Sequence, residues 1–363
     1  MTKSVARDDE RSRQPKIFYL CLLVAFATFF LIIAGASVTS HDAGLATSDW
    51  PLSNGQVFPR MVGNLFWEHG HRMVATTVGL LTIVLTIVLL RKEKRPWVRR
   101  LGVFALLAVI AQGLLGGLTV KLMLPLAVSA AHATLAQLFF CTTVSLAVVT
   151  APSWHRNHAT IAEQGTVPAR FLCLAVAATI FLQLIIGATL RHSATWDKPL
   201  PTELLLTHIG GALAVTLLLA ITVATILQRH PNQIFLTRPA AIALALLGIQ
   251  LLLGLAAYVT RQASPNDPQP LNPMVAITVA HVACGALVFA TTIVLTLQSF
   301  KSLRRTTRAH VNFINPYNDN PQDRGIAGAD IYKLNENGKA IEHWDVLREI
   351  GDPNEAAQAN GRF

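Results

Sequence analysis

The sequence predicts an all-α polytopic membrane protein: eight transmembrane helices in two repeated four-helix bundles, both termini cytoplasmic, with a short α+β or disordered tail. Three observations carry that expectation. Hydrophobic residues make up 52% of the 363 and charged residues only 14%, a balance typical of polytopic membrane proteins rather than soluble domains. Apolar runs long enough to cross about 30 Å of hydrocarbon, roughly 20 helical residues, recur eight times. The first four runs and the last four carry similar residues at similar places.

The runs lie near 17–39, 65–90, 101–121, 125–150, 169–190, 203–228, 238–260 and 273–299. The first is longer than a secretory h-region and leads into a matching second span, so it reads as a retained anchor. Lys3, Arg7, Arg11, Arg13 and Lys16 precede it. Arg91, Lys92, Lys94, Arg95, Arg99 and Arg100 join spans two and three, Arg156 and Arg170 join four and five, and Arg229 and Arg238 join six and seven. With Lys301, Arg304, Arg305 and Arg308 after span eight, these mark one side, which the positive-inside rule makes cytoplasmic. The formal charge of +10 is therefore a topology signal, and nucleic acid is not an expected partner. Cys21, Cys141, Cys173 and Cys284 all fall in apolar runs and none forms a CxxC, so neither a disulfide framework nor a zinc site is indicated.

These boundaries give a cytoplasmic segment 1–16, bundles at 17–150 and 169–300, a cytoplasmic linker 151–168 and a tail 301–363. The outer connections are candidate lids. The first, roughly 40–64, is polar and turn-rich, with Asp49-Trp50-Pro51 and Asn54-Gly55. Those near 191–202 and 261–272 are shorter and carry prolines.

The most informative stretch is Trp67-Glu68-His69-Gly70-His71-Arg72-Met73, at the mouth of span two. Glu68, His71 and Arg72 share one helix face by their i, i+3 and i+4 spacing. Ionisable groups at the end of a membrane span suggest function, because leaving them unpaired in hydrocarbon costs several kcal/mol. A Glu68–Arg72 ion pair beside two hydrated histidines is the competing account.

The repeat weighs against it. Gly35-Ala36-Ser37 in span one is echoed by Gly187-Ala188-Thr189 in span five. Gln112/Gly116, Gln183/Gly187 and Gln250/Gly254 repeat a Gln-x-x-x-Gly pattern in spans three, five and seven. Ala131-His132 and Ala280-His281 each precede a Thr-Thr pair at the same offset, while His71 and His208 occupy the second helix of each half. All even-numbered spans run inward, so the four histidines lie in one tier, roughly 6–12 Å below the outer boundary. Paired imidazoles at one depth in a helical bundle suit a haem iron held from both faces. Satisfied core histidines, or a His–Glu proton relay, are the alternatives.

The halves differ where reactivity needs them to. Opposite Glu68 and Arg72 the second half has Leu205 and Ile209, so only the pair His71 and His132 has a carboxylate one turn above. His208 and His281 are expected to hold an electron-transfer haem. Lys121, Arg191 and Arg261 end spans three, five and seven at the outer face, where they suit haem propionates as well as interfacial snorkelling, and Arg72 is a further candidate propionate contact.

These residues resemble the haem A synthase family of bacterial and mitochondrial membranes over roughly 17–300. The most specific elements are Glu68-x-x-His71-Arg72, the loop Gly44 to Gly55, and the duplicated halves with His132, His208 and His281. The resemblance implies oxidation of the C8 methyl of haem O to a formyl group by successive O2-dependent hydroxylations, giving haem A for cytochrome oxidase assembly. It implies a haem b ligated by His208 and His281, with the substrate haem O beside His71 and His132 and Glu68 as the essential carboxylate. It also implies a cell-membrane location, supply by a haem O synthase, an electron donor of unstated identity, and room for a homo-oligomer. Many relatives carry a cysteine pair in the first outer loop, where this chain has Thr47 and Ser53. His69 competes with His71 as a ligand, and His71 is preferred because it aligns with His208. His41 and His192 read as surface residues. A di-haem cytochrome b fed by quinol shares the histidines, and a proton-coupled transporter is a third reading.

From about Ala309 the chain turns polar. Asp330 to Leu334 and Gly338 to Val346 read as a strand, a turn and a second strand, resembling the closing hairpin of a SnoaL-like cone domain. That piece is too small to supply a core of its own.

Overall fold

The computed structural model describes residues 15–154, 161–163, 167–193, 200–263, 270, 272–305, 307–315, 326–334 and 340–349, the last three stretches as backbone only. The basic residues expected before span one, Lys3 to Arg13, and Arg156 in the inner linker lie outside them. The helices are α1 (Pro15–Ser40), α2 (Asn64–Lys92), α3 (Pro96–Lys121), α4 (Leu126–Thr150), α5 (Ala169–Ser193), α6 (Thr202–Arg229), α7 (Ile234–Ala263) and α8 (Asn272–Ser302). All eight are long and apolar enough to cross a membrane.

Several helices outrun the apolar windows that mark them in the sequence, because backbone geometry rather than hydropathy ends a helix. α3 begins at Pro96, a first-turn residue whose missing N–H costs nothing there, so Arg99 and Arg100 are helical. Pro125 and Pro201 stand just before α4 and α6. Within the spans, threonine and serine hydroxyls donate to the carbonyl four residues back, as Thr28 does to Val24, Thr82 to Val78 and Thr142 to Leu138. In hydrocarbon that removes an otherwise unpaired polar group.

α1 packs on α2 and α4, α3 packs on both α2 and α4, and together they form the first bundle. α5 packs on α6 and α8, α7 packs on both α6 and α8, and these form the second. Contacts of α1 with α8, and of α4 with α5 and α8, join the two. A core of Cys21, Val24, Val78, Leu85, Leu89, Val98, Phe139 and Leu146 fills the half of the first bundle nearer the α2–α3 connection. At that end, Glu93 binds Arg95 through both carboxylate oxygens at 2.9 Å, and Arg95 also donates to the Val149 carbonyl. Burial pushes the Glu93 carboxyl up, but these bonds outweigh it and hold the group below its ordinary value.

A second compact unit comprises residues 160–168 and 303–363. In it β1 (Ile161–Glu163) pairs in parallel with β2 (Leu303–Arg305). β3 (Thr307–Asn315), β4 (Ile326–Leu334) and β5 (Ala340–Glu349) form an antiparallel sheet in chain order. The hairpin expected from the sequence is the β4–β5 pair, with Asp330 opposite Asp345 and Tyr332 opposite His343. The short β1–β2 pair was not legible, since three residues are too few to show a period; β3 alternates polar and apolar residues over Arg308 to Phe313 and was missed.

Candidate functional site

His71, His132, His208 and His281 lie seven, six, six and nine residues past the first residues of α2, α4, α6 and α8. Each ring rests on a glycine of the preceding odd-numbered helix. A Cβ on Gly35 would stand 3.1 Å from His71 Cε1, and one on Gly116 3.2 Å from His132 Cε1. The corresponding distances are 2.9 Å from Gly187 to His208 and 3.0 Å from Gly254 to His281. Four helix pairs thus repeat one contact, in which the missing side chain is the space the imidazole occupies.

The glutamines one turn before three of these glycines reach the same histidines. Gln112 donates to the His132 carbonyl at 2.9 Å. Gln183 donates to the His208 carbonyl at 2.7 Å and meets its Nδ1 at 3.0 Å, and Gln250 meets the His281 ring at 3.2 Å. In α1 the matching position is Leu31, so His71 has no such partner.

His208 and His281 face each other with ring centres 6.4 Å apart and planes at 68°. Two imidazoles on opposite sides of one metal ion, at bonds of about 2.0–2.1 Å, would hold their ring centres at a similar separation. His71 and His132 occupy the matching places in the first bundle, each against its glycine. Nδ1 of His71, His132 and His281 is buried with no hydrogen-bond partner among the described residues. Those ring nitrogens suit a ligand that the side chains themselves do not supply. Among the described residues no three His, Cys, Asp or Glu side chains gather as a metal cage. A macrocycle that brings its own equatorial ligands needs only two.

The carboxylate above the first pair is elaborately held. Glu68 is 4% exposed. Its Oε2 accepts from the Thr47 amide at 3.1 Å and its Oε1 pairs with Arg72. The other arm of Arg72 donates to the carbonyls of Asp49 and Leu52, at 2.9 and 2.6 Å, and to Ser53 Oγ at 3.1 Å. These acceptors lie on the first outer loop, whose shape follows from its sequence. Asn54 and Gly55 both have positive φ, 53° and 70°, and Ser53 and Gln56 exchange backbone hydrogen bonds across them, forming a two-residue hairpin turn. The Asp49 carboxylate accepts from the Gly55 amide at 2.7 Å and from the Thr47 hydroxyl at 2.9 Å, and these bonds, in that order, hold its pKa below the ordinary value.

The remaining expected residues divide. His69 has both ring nitrogens committed to the loop, Nδ1 to Ser53 and Nε2 to the Val57 carbonyl, so it faces away from the ring pair. Lys121 donates to the Ser48 carbonyl at 3.3 Å. Arg191 donates to Ser40 Oγ at 3.3 Å. His41 stacks on Trp67 at 3.9 Å and bonds the Ser37 carbonyl, and His192 lies within electrostatic reach of His132. Sequence reasoning missed the part played by Ser53, Thr47 and His69. The Asn-Gly turn was the one local signal pointing to them.

Residues 60–196 match a family model described as cytochrome oxidase assembly protein. The chain is 32% identical over 133 residues to Heme A synthase of Caulobacter sp. (strain K31), 33% of this chain and 39% of that protein. Over 103 residues it is 33% identical to Heme A synthase of Bacillus licheniformis, 28% of this chain and 34% of that protein. Heme A synthase of Symbiobacterium thermophilum is 29% identical over 248 residues, 61% of this chain and 79% of that protein. In the first two matches the chain spans under two fifths of the relative's length.

Proposed function

We propose that this chain, related to the haem A synthases by those matches, oxidises the C8 methyl group of haem O to the formyl group of haem A. The observation that carries the reading is the inequality of the two halves. Both hold a histidine pair against glycines, yet among the described residues only the first half has a buried carboxylate, paired with a guanidinium and a loop amide, one turn before a histidine of its pair. In this reading His208 and His281 hold a haem b, and His71 and His132 hold the substrate haem. Bound haem supplies iron that passes electrons and activates O2. Glu68 takes up or delivers the proton that each hydroxylation requires, and its charge stabilises positive charge developing on the oxidised carbon. Arg72 keeps the carboxylate oriented, and the first outer loop shields it from bulk water. Arg191 and Arg261 offer cations to propionates. The termini lie in the cytoplasm and the histidine tier toward the outer face, with haem O delivered by its synthase.

The test is haem extraction from membranes that express the chain with a haem O synthase, resolved by chromatography and mass spectrometry. Haem A or its hydroxylated intermediate is expected. Glu68→Ala should lower product roughly a hundredfold or more, the scale of a lost acid–base group, while the haem b spectrum persists. Unchanged haem O alongside purified haem b would instead identify a di-haem cytochrome.

A further inference from the structure

The hydrogen bonds around Ser53 fix their own direction. The Val57 carbonyl can only accept, so His69 Nε2 carries the proton and donates to it at 3.0 Å. His69 Nδ1 is then an acceptor and takes the Ser53 hydroxyl proton at 2.8 Å. That turns the lone pairs of Ser53 Oγ toward Arg72, whose Nη1 can only donate, at 3.1 Å. Donors therefore run from Arg72 to Ser53 to His69 to the Val57 carbonyl; the two hydrogens of Nη1 are shared among Ser53 Oγ and the Asp49 and Leu52 carbonyls, at 3.1, 2.9 and 2.6 Å. Arg72 is in turn the ion-pair partner of Glu68. Ser53 is fully buried and His69 is 4% exposed, so bulk water does not replace a lost member readily.

We propose that Ser53 and His69 are positioning residues which set the Arg72 guanidinium and, through it, the orientation of the Glu68 carboxylate. The proposal rests on the reading of Glu68 as the reactive carboxylate. It assigns the first outer loop a task beyond covering the site: the loop is the far end of a polar chain that begins at the reacting group. A serine suits the hub because its hydroxyl donates once and accepts once along a single line. His69, two residues before the ligand candidate His71, is excluded from iron by the same bonds.

The experiment compares the full chain, purified with its haem b, as wild type, Ser53→Ala, Ser53→Thr, His69→Ala and Glu68→Gln. Two readouts are taken: conversion of haem O in cells that co-express its synthase, and the infrared carboxylate stretch assigned to Glu68 as the band lost in Glu68→Gln. Ser53→Ala is expected to lower conversion roughly ten- to a hundredfold, as for a hydrogen bond to a charged group, and to shift the Glu68 band. Ser53→Thr keeps the hydroxyl and should restore most of both. The haem b spectrum should be unchanged throughout, which reports an intact fold. If Ser53→Ala loses that spectrum, His69→Ala tests the same chain from its other end. Wild-type conversion in both alanine variants, or an unmoved Glu68 band, overturns the proposal. Should the wild type itself make no haem A, the functional reading fails, and the infrared band alone decides whether Ser53 and His69 orient Glu68.

Discussion

Asp49 shows how a single half-buried residue can govern the lid. Its carboxylate closes the turn from Thr47 to Gly55, and Thr47 in turn presents its amide to Glu68. Because its folded pKa lies below the unfolded value of about 3.9, the stability it lends is complete above that value. That stability is lost as the pH falls through the folded pKa. Asp49→Ala should therefore loosen the loop at neutral pH, and acid well below the ordinary carboxylate range should loosen the wild-type loop in the same way. Arg60 is exposed on this loop, so tryptic cleavage there at pH 7 should be several-fold faster in the variant. Equal cleavage rates would show that the turn holds without the carboxylate. The matched placement of the four histidines was legible in the sequence because residue type and repetition mark it locally. Ser53 and His69 were not, since their bond joins residues 16 apart across a loop whose path only the fold defines.

At the scale of the element, the repeated unit is a helix pair in which a glycine receives an imidazole. The sequence displays the glycines as a Gln-x-x-x-Gly pattern, but a pattern cannot say which side chain enters the space. The structure places His71, His132, His208 and His281 there. Adding a methyl group at Gly187 or Gly254 brings a Cβ to 2.9 or 3.0 Å of the ring, closer than packed carbon atoms stand, so the imidazole must move. Gly187→Ala and Gly254→Ala should bind haem b roughly 10–100-fold more weakly, the scale seen when the support of a metal ligand is disturbed. Gly210 and Gly248 meet nothing within 4 Å, so alanine there should leave haem content unchanged. The measurement is haem per chain by pyridine haemochromogen absorbance. Loss of haem in all four variants would point to general helix damage instead. Helix ends were the least legible part of these elements: the apolar window of α3 begins at Leu101, while Pro96 starts the helix.

Across the whole molecule, two bundles built to one plan have been put to unequal use. The helix count was legible because crossing hydrocarbon demands length and apolarity together, while the direction in which the chain crosses rests on the side where cations cluster. That direction decides on which side the histidine tier and the loop over Glu68 lie. A labelling experiment reads it directly. All four native cysteines are buried, which gives a silent background. Phe58, 78% exposed, lies on the loop between α1 and α2, whereas Asn232 is exposed on the loop between α6 and α7. With both termini inside, Phe58→Cys should react in intact cells with a maleimide that cannot cross the membrane. Asn232→Cys should react only after permeabilisation. The reverse pattern would put the Glu68 lid on the cytoplasmic side and place the oxidation of haem there, contrary to the charge distribution of the loops. If both react in intact cells, the pairing of α1–α4 with α5–α8 across one bilayer would be wrong.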